Sequence, residues 1–191
     1  MAAQLSTVLC IMAAALIQLP DAQSRTTQPT RYDAARELSE KFDEKYYLVQ
    51  RSHSIDRKMG NSASCVSVLK LAPVYGQSAI TVQVSIQANR YSDPVTNKEW
   101  KMLAYTPAGS GVKYMIRTTD ANTAAELYNQ ELVFSDHVSC RVLVHTADGD
   151  KHCQLWVNHR AVTGSVPRGC QQAYEKHCET THKIFKPECL Q

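Results

Sequence analysis

Ala79–Ala88, AITVQVSIQA, decides the architecture of this chain. Ile80, Val82, Val84, Ile86 and Ala88 alternate with Thr81, Gln83, Ser85 and Gln87, a period of two that makes a strand with one dry face. Shorter runs of the same kind are Tyr46–Arg51, Cys65–Leu71, Glu99–Tyr105, Lys113–Thr118, Glu126–Phe134, Ser139–His145 and Cys153–Val157, which brings the expectation to eight strands. Turn-forming stretches separate them: Asp56–Ser62, Pro73–Gly76, Ser92–Asn97, Pro107–Gly111 and Ala147–Asp150. Connections this short favour antiparallel neighbours. Tyr32–Phe42 has helical spacing through Ala34, Ala35, Leu38 and Phe42, and Pro167–Cys178 returns to helical character, with Gly169 weakening its first turn. The expectation is a mainly β fold: an eight-stranded antiparallel up-and-down barrel with a short N-terminal helix and a C-terminal helix. Closure removes the sheet edges and leaves room for a ligand cavity. A β-sandwich has the same periodicity, and period alone does not separate the two.

The flanking sequence sets the compartment. Residues 1–24 read as a secretory signal, with Val8–Leu19 apolar except for Gln18 and too short to span a bilayer. No Lys or Arg precedes that stretch, so only the amino terminus supplies its positive charge. Residues 25–191 are expected to form a single domain. Hydrophobic residues at 43% and charged residues at 20% exclude an acidic disordered chain and a multispan membrane protein. A net charge of +3 without a basic run argues against nucleic acid as a partner. Removing the signal takes Cys10 with it and leaves Cys65, Cys140, Cys153, Cys170, Cys178 and Cys189, an even set that reads as three disulfides in an exported protein. Spacing alone leaves fifteen pairings open. His152 beside Cys153 and His177 beside Cys178 raise zinc as a rival, but no C-x-x-C pair exists; no metal or cofactor is assigned.

The block CRVLVH from Cys140, followed by CQLWVNHRAVTGSVPRGCQQAYEKHCE from Cys153 and by Cys189, resembles the tick salivary lipocalins of the histamine-binding protein family. Members carry Cys-Asp-aliphatic, a spacer, Glu-Leu-Trp/Tyr, a second spacer and Cys. Here the frame reads Cys140-Arg141-Val142, Gln154-Leu155-Trp156 and Cys170, so the cysteines, aliphatic, Leu and Trp fit while both acidic positions differ. The Gly-x-Trp of ordinary lipocalins is missing from Tyr46–Arg51, as is common in this divergent family. The resemblance implies a lipocalin barrel secreted in saliva to sequester small host mediators of inflammation and haemostasis. It also implies the pairings Cys65–Cys189, Cys140–Cys170 and Cys153–Cys178.

These pairings constrain the strands. Cys140 reaches a cysteine on an outer helix only if it points out of the barrel. Alternation then sends Val142 and Val144 outward and Arg141, Leu143 and His145 inward. The same reasoning from Cys153 sends Leu155 outward and Gln154 and Trp156 into the lumen. Both altered signature positions are therefore expected to face a ligand. Trp100 is a further pocket candidate, although a lone inward aromatic is more often core filler. One of Tyr46 and Tyr47 faces inward, and at most one of Tyr114 and Arg117. The ligand-binding set expected from sequence is Arg141, Gln154, Trp156, Leu143, His145 and Trp100.

An ammonium needs a carboxylate in a low-dielectric cavity. The family's amine binders supply acids at the two signature positions. A guanidinium about 5 Å from an ammonium costs roughly 3 kcal/mol at an effective dielectric of about 20, a loss of at least about a hundredfold in affinity. The same arithmetic favours a carboxylate with a lipid tail, held by paired hydrogen bonds. The bland reading is that Arg141 pairs with a lumen acid such as Glu131 and only closes the barrel. Haem would need an inward histidine, with His145 the one candidate of argued direction.

The partner expected from sequence is thus a small host mediator, an anionic lipid ahead of a biogenic amine. A host plasma protein held by the Asp56–Ser62 and Ser92–Asn97 loops is the competing reading. No membrane partner and a monomer are expected. No G-x-S-x-G or H-E-x-x-H occurs, and the chain is not read as an enzyme.

Overall fold

Asp148 and Gly149 turn the chain with both φ angles positive, 55° and 87°, the geometry that matches a two-residue hairpin to the twist of its strands. They join β7 (Cys140–Ala147) to β8 (Asp150–Asn158). The computed structural model describes residues 31–88, 93–107 and 111–190. The expected signal segment 1–24 and Ser92 lie outside the described residues.

Before this hairpin come α1 (Ala34–Glu40), β1 (Tyr46–Arg51), β2 (Cys65–Val74), β3 (Ala79–Gln87), β4 (Val95–Tyr105), β5 (Met115–Asp120) and β6 (Glu126–Ser135). Each strand pairs antiparallel with the next in sequence, from β2 round to β8. β8 then pairs with β1, and Tyr46 and Tyr47 of β1 pair with Val68 and Ser67 of β2. The sheet therefore closes on itself, as expected for a barrel, and the sandwich alternative falls. The strands run longer than the periodicity indicated at β2, β4 and β8: Ala72, Pro73 and Val74 extend β2 with outlying apolar residues, and mostly polar residues extend β4 and β8.

After β8 come α2 (His159–Val162), α3 (Arg168–His177), β9 (His182–Lys183) and a 3-10 turn at Pro187–Leu190. Periodicity indicated only α3, because the other three are too short to show a period. β9 pairs with Gln50 and Arg51 of β1. No helix among the described residues is long and apolar enough to cross a membrane.

The buried residues form two layers. Tyr46, Leu48, Val82, Val84, Leu143 and Trp156 belong to the inner one. Tyr47, Val142, Leu155 and Val157 belong to the outer one with Cys140, Cys153, Cys170 and Tyr174, between the barrel wall and α3. The disulfides are Cys65–Cys189, Cys140–Cys170 and Cys153–Cys178, with Cα–Cα separations of 5.4, 6.3 and 6.1 Å, the set that the family resemblance implied. Two of them pin α3 to the outer face of β7 and β8.

A bulge between Leu48 and Gln50 interrupts the alternation of β1. It turns Gln50 outward, where its Nε2 donates to Gln171 Oε1 at 3.1 Å, and brings Arg51 opposite Gln154, on the inner face.

Candidate functional site: the barrel lumen and its two ends

Asp33 starts α1 by accepting from the backbone N–H groups of Ala35 and Arg36, and the helix lays Ala34, Glu37 and Leu38 against the barrel. Ala34 N–H donates to Lys113 O at 2.7 Å, and Lys70 Nζ donates to Leu38 O and Ser39 O. These bonds hold α1 across the end of the barrel where the β4–β5 and β6–β7 connections lie. Glu37 is thereby carried into the interior.

Arg141 points inward as strand parity required, and it meets Glu37 there. Its Nε lies 3.4 Å from Glu37 Oε1, with both side chains 1% exposed. The guanidinium carbon lies 3.9 Å from the Phe42 ring centre and 3.7 Å from that of Tyr46. Ser135 Oγ donates to Glu37 Oε2 at 2.7 Å, and His137 Nδ1 stands 3.2 Å from the same oxygen. The partner of Arg141 is therefore Glu37, not Glu131. Glu131 stands opposite Val144 in the ladder and so faces outward. This corrects the electrostatic expectation as well, because Arg141 presents the field of an ion pair rather than of a bare cation. Burial raises the pKa of the Tyr46 hydroxyl, against the lowering influence of Arg141.

Above this pair lies a narrow cleft of about 20 Å³, lined among others by Met59, Trp100, Met102, Arg141, Gln154 and Trp156. That is room for one water-sized occupant. Leu143 lines it too, as do Thr118, Tyr128 and Gln130, none of which was singled out from sequence. Thr118 lies inward on β5, whereas Arg117 is outside, pairing with Glu126, and Tyr114 stacks with Arg31. Gln154 Oε1 accepts from Trp156 Nε1 at 3.0 Å, which orients the amide. The polar atoms of the lining that are buried without a hydrogen bond or ion pair are Trp100 Nε1, Gln130 Nε2, Gln154 Nε2 and the two terminal guanidinium nitrogens of Arg141, whose Nε is ion-paired to Glu37. Every one is an N–H donor.

At the other end, the β1–β2 loop folds over the mouth. Asp56 is 7% exposed and bridges to Asn61 through the backbone. Its carboxylate accepts from Tyr128 Oη at 2.8 Å, from the N–H groups of Lys58 and Met59, and from His53 Nε2 at 3.2 Å. Burial would raise its pKa, but the hydrogen bonds from His53 and Tyr128 outweigh it and hold the group at about 2. Arg51 braces the same loop by donating to Ser54 O and Asn61 O. The loop named as a protein-binding candidate is thus built into the barrel mouth.

His145 shares the inward face of Arg141 but lies beyond Tyr128, 5.5 Å between ring centres, and is not among the residues lining the cleft. It is four residues along β7 from Arg141, towards the mouth. Burial, then the neighbouring His152, His53 and Lys58, push its pKa down to about 4. Asp136, Cys140 and Cys170 bring three donor atoms within 4.8 Å of one another, but both sulfurs are tied up in a disulfide.

Comparison with known proteins agrees with this architecture. Residues 22–191 match the family described as tick histamine binding protein. A male-specific histamine-binding salivary protein of Rhipicephalus appendiculatus is 25% identical over 178 residues, covering 87% of this chain and 85% of that one. Among solved structures, Japanin from Rhipicephalus appendiculatus, bound to cholesterol, superposes with a TM-score of 0.56 at 16% identity, covering 77% of this chain and 95% of that one. Lobster apocrustacyanin A1 superposes with a TM-score of 0.51 at 10% identity, covering 82% and 87%.

Proposed function

This chain belongs to the tick histamine-binding family of lipocalins, and we propose that within it the protein is a secreted salivary scavenger of an oxygen-rich apolar mediator, a fatty-acid-derived carboxylate, rather than of an amine. The observation that carries this reading is the one-sided hydrogen-bonding character of the cleft: Trp100, Gln130, Gln154 and Arg141 all offer unpartnered N–H groups. A buried donor left without an acceptor costs about 1–3 kcal/mol. A ligand carboxylate or carbonyl recovers that, and a protonated amine does not.

Among the described residues, the two buried carboxylates are Glu37 and Asp56, and they support the same preference. Glu37 is occupied by Arg141, Ser135 and His137, and Asp56 by Tyr128, His53 and two backbone N–H groups. An ammonium entering the cleft would have to break one of these sets. The two terminal nitrogens of Arg141, stacked against Phe42 and Tyr46, have no hydrogen bond and can serve a ligand carboxylate, and Met59 and Met102, both flexible thioethers, are the groups able to swing aside for a lipid tail.

The test is a titration with eicosanoid carboxylates, histamine and serotonin, read by the fluorescence of Trp100 and Trp156, the two tryptophans of the chain. A carboxylated eicosanoid is expected to bind at least tenfold more tightly than either amine. Gln154→Leu and Arg141→Ala are expected to erase the difference. Tight histamine binding by the unaltered protein, with no eicosanoid response, refutes the reading.

A further inference from the structure

Three histidines gather at the barrel mouth, outside the cleft. His145 and His152 are directly paired across the β7–β8 hairpin, and His53 approaches them from the loop that follows β1. Their ring centres are 4.5 Å apart for His53–His152, 5.1 Å for His145–His152 and 6.4 Å for His53–His145. Three imidazoles on one tetrahedral ion, with each nitrogen about 2.0–2.1 Å from the metal, hold their ring centres about 5 Å apart.

The hydrogen bonds around the cluster leave the required atoms free. Asp56 is an ionised acceptor, so His53 Nε2 must be the donor in their 3.2 Å contact. In the neutral ring the lone pair then sits on His53 Nδ1, which is buried and unpartnered, as is His145 Nδ1. A histidine whose far nitrogen donates to a carboxylate is the usual outer support of a metal ligand, fixing its tautomer and raising its basicity. His145 stands directly opposite His152 in the β7–β8 ladder, with their ring planes tilted by 36°. Carboxylates are close in the chain or by hydrogen bond: Asp148 and Asp150 belong to the same hairpin as His152, and Asp56 is bonded to His53. A groove lined by Ser52, His53, Asp150, Lys151 and His152 reaches the cluster from outside.

We propose that His53, His145 and His152 form a binding site for a first-row divalent transition metal, with zinc or copper matching the imidazole donors, and that Asp56 supports it through His53. One nitrogen from each ring does not yet meet at a shared point, so the site closes by rotation of the imidazoles. The fourth position is left for water or a ligand oxygen. The site is separate from the donor-lined cleft and does not rest on the identity of its ligand.

Calorimetric titration of the chelator-treated protein with zinc chloride at pH 7.5 tests the proposal, with cobalt chloride as a spectroscopic probe. One equivalent of zinc is expected to bind with micromolar or tighter affinity, and cobalt to give the visible absorption of a four-coordinate site. His152→Gln, at the rim, and His145→Ala are each expected to weaken zinc at least a hundredfold, and Asp56→Asn about ten- to a hundredfold. Thermal unfolding of each variant without metal identifies any that fails to fold; if His145→Ala is one of them, His152→Gln decides the question. Absence of zinc binding to the unaltered protein, or the same affinity in folded His152→Gln, overturns the proposal; the latter outcome assigns the metal to other histidines such as His177 or His182.

Discussion

Arg141 and Glu37 meet inside the barrel, their Nε and Oε1 atoms 3.4 Å apart, although one lies on β7 and the other on the helix that crosses the barrel end. Ionic attraction in that apolar setting holds only while both charges are present, since each alone would be a desolvated ion. Glu37→Gln is therefore expected to lower unfolding free energy by about 3 kcal/mol or more. The pair Glu37→Leu with Arg141→Leu is expected to cost less than either change alone, because it removes both charges and leaves their volume apolar. A double-mutant cycle by urea denaturation measures this. Additive losses would mean that the two groups do not depend on one another.

Asp136 closes the turn before β7 with a different economy of charge. Its Oδ1 accepts from the N–H groups of Val138, Ser139 and Cys140 at 2.9, 2.7 and 2.9 Å, and Ser139 Oγ donates to Oδ2. Burial acts to raise its pKa, but these hydrogen bonds win and lower it. A carboxyl whose folded pKa lies below its unfolded value of about 3.9 contributes stability above that pH and loses it as pH falls through the folded value. Asp136→Asn is accordingly expected to cost about 1–2 kcal/mol at pH 7, with the gap to the unaltered protein narrowing below pH 4. Denaturation curves at pH 7 and pH 3 decide it, and a gap that widens in acid contradicts the assignment.

The barrel was legible because alternation is a local signal, and the inward set Arg141, Leu143, Gln154 and Trp156 followed from parity once the cysteines were placed outside. The two-residue turn at Asp148–Gly149 held further information: it sets the pairs Arg141–Trp156, Leu143–Gln154 and His145–His152. Glu37 was also within reach, since it sits in the apolar stripe of α1 between Ala34 and Leu38, and a buried acid there needs a cationic partner. His53, Asp56 and Arg51 were not legible. Their positions depend on the bulge in β1 and on an irregular loop, and neither leaves a periodic trace. Tyr128 and Gln130 lay on a recognised strand, but nothing in its own pattern says which face is inside until its neighbours are placed.

The two short-range disulfides act on one helix. Cys140–Cys170 and Cys153–Cys178 span 30 and 25 residues, while Cys65–Cys189 spans 124. By chain entropy alone, removing them costs about 3.5 kcal/mol for each of the first two and about 5 kcal/mol for the third. Cys140→Ser with Cys170→Ser is expected to free the start of α3 from Phe134 and Val142, and so to raise amide exchange in α3 before the barrel strands. The Cys65→Ser with Cys189→Ser pair is expected to lower the global midpoint further while leaving α3 protected. Hydrogen exchange followed by mass spectrometry distinguishes the two, and equal loss of protection throughout would mean that α3 and the barrel unfold as one unit.

Gly60 gives a handle on the barrel mouth itself. It sits in the β1–β2 loop with φ +77°, and a Cβ built there would lie 2.7 Å from Ile86 Cγ2 and 3.3 Å from Ala63 Cβ. Gly60→Ala thus meets two penalties, a left-handed backbone that costs an alanine about 1–2 kcal/mol and a collision with a β3 side chain packed in the core. Gly76 shares the positive φ, at +71°, but has nothing within 4 Å of its Cβ direction, so Gly76→Ala isolates the backbone penalty. The neighbouring Met59 is 1% exposed and lines the cleft, so pushing the loop outward withdraws the thioether from the lumen. Gly60→Ala is therefore expected to be the less stable of the two and to admit ligand faster, with association and dissociation rates both rising severalfold. Stopped-flow tryptophan fluorescence measures those rates. If Gly60→Ala lowers stability yet leaves them equal to those of Gly76→Ala, ligand enters by some route other than the loop that carries Met59.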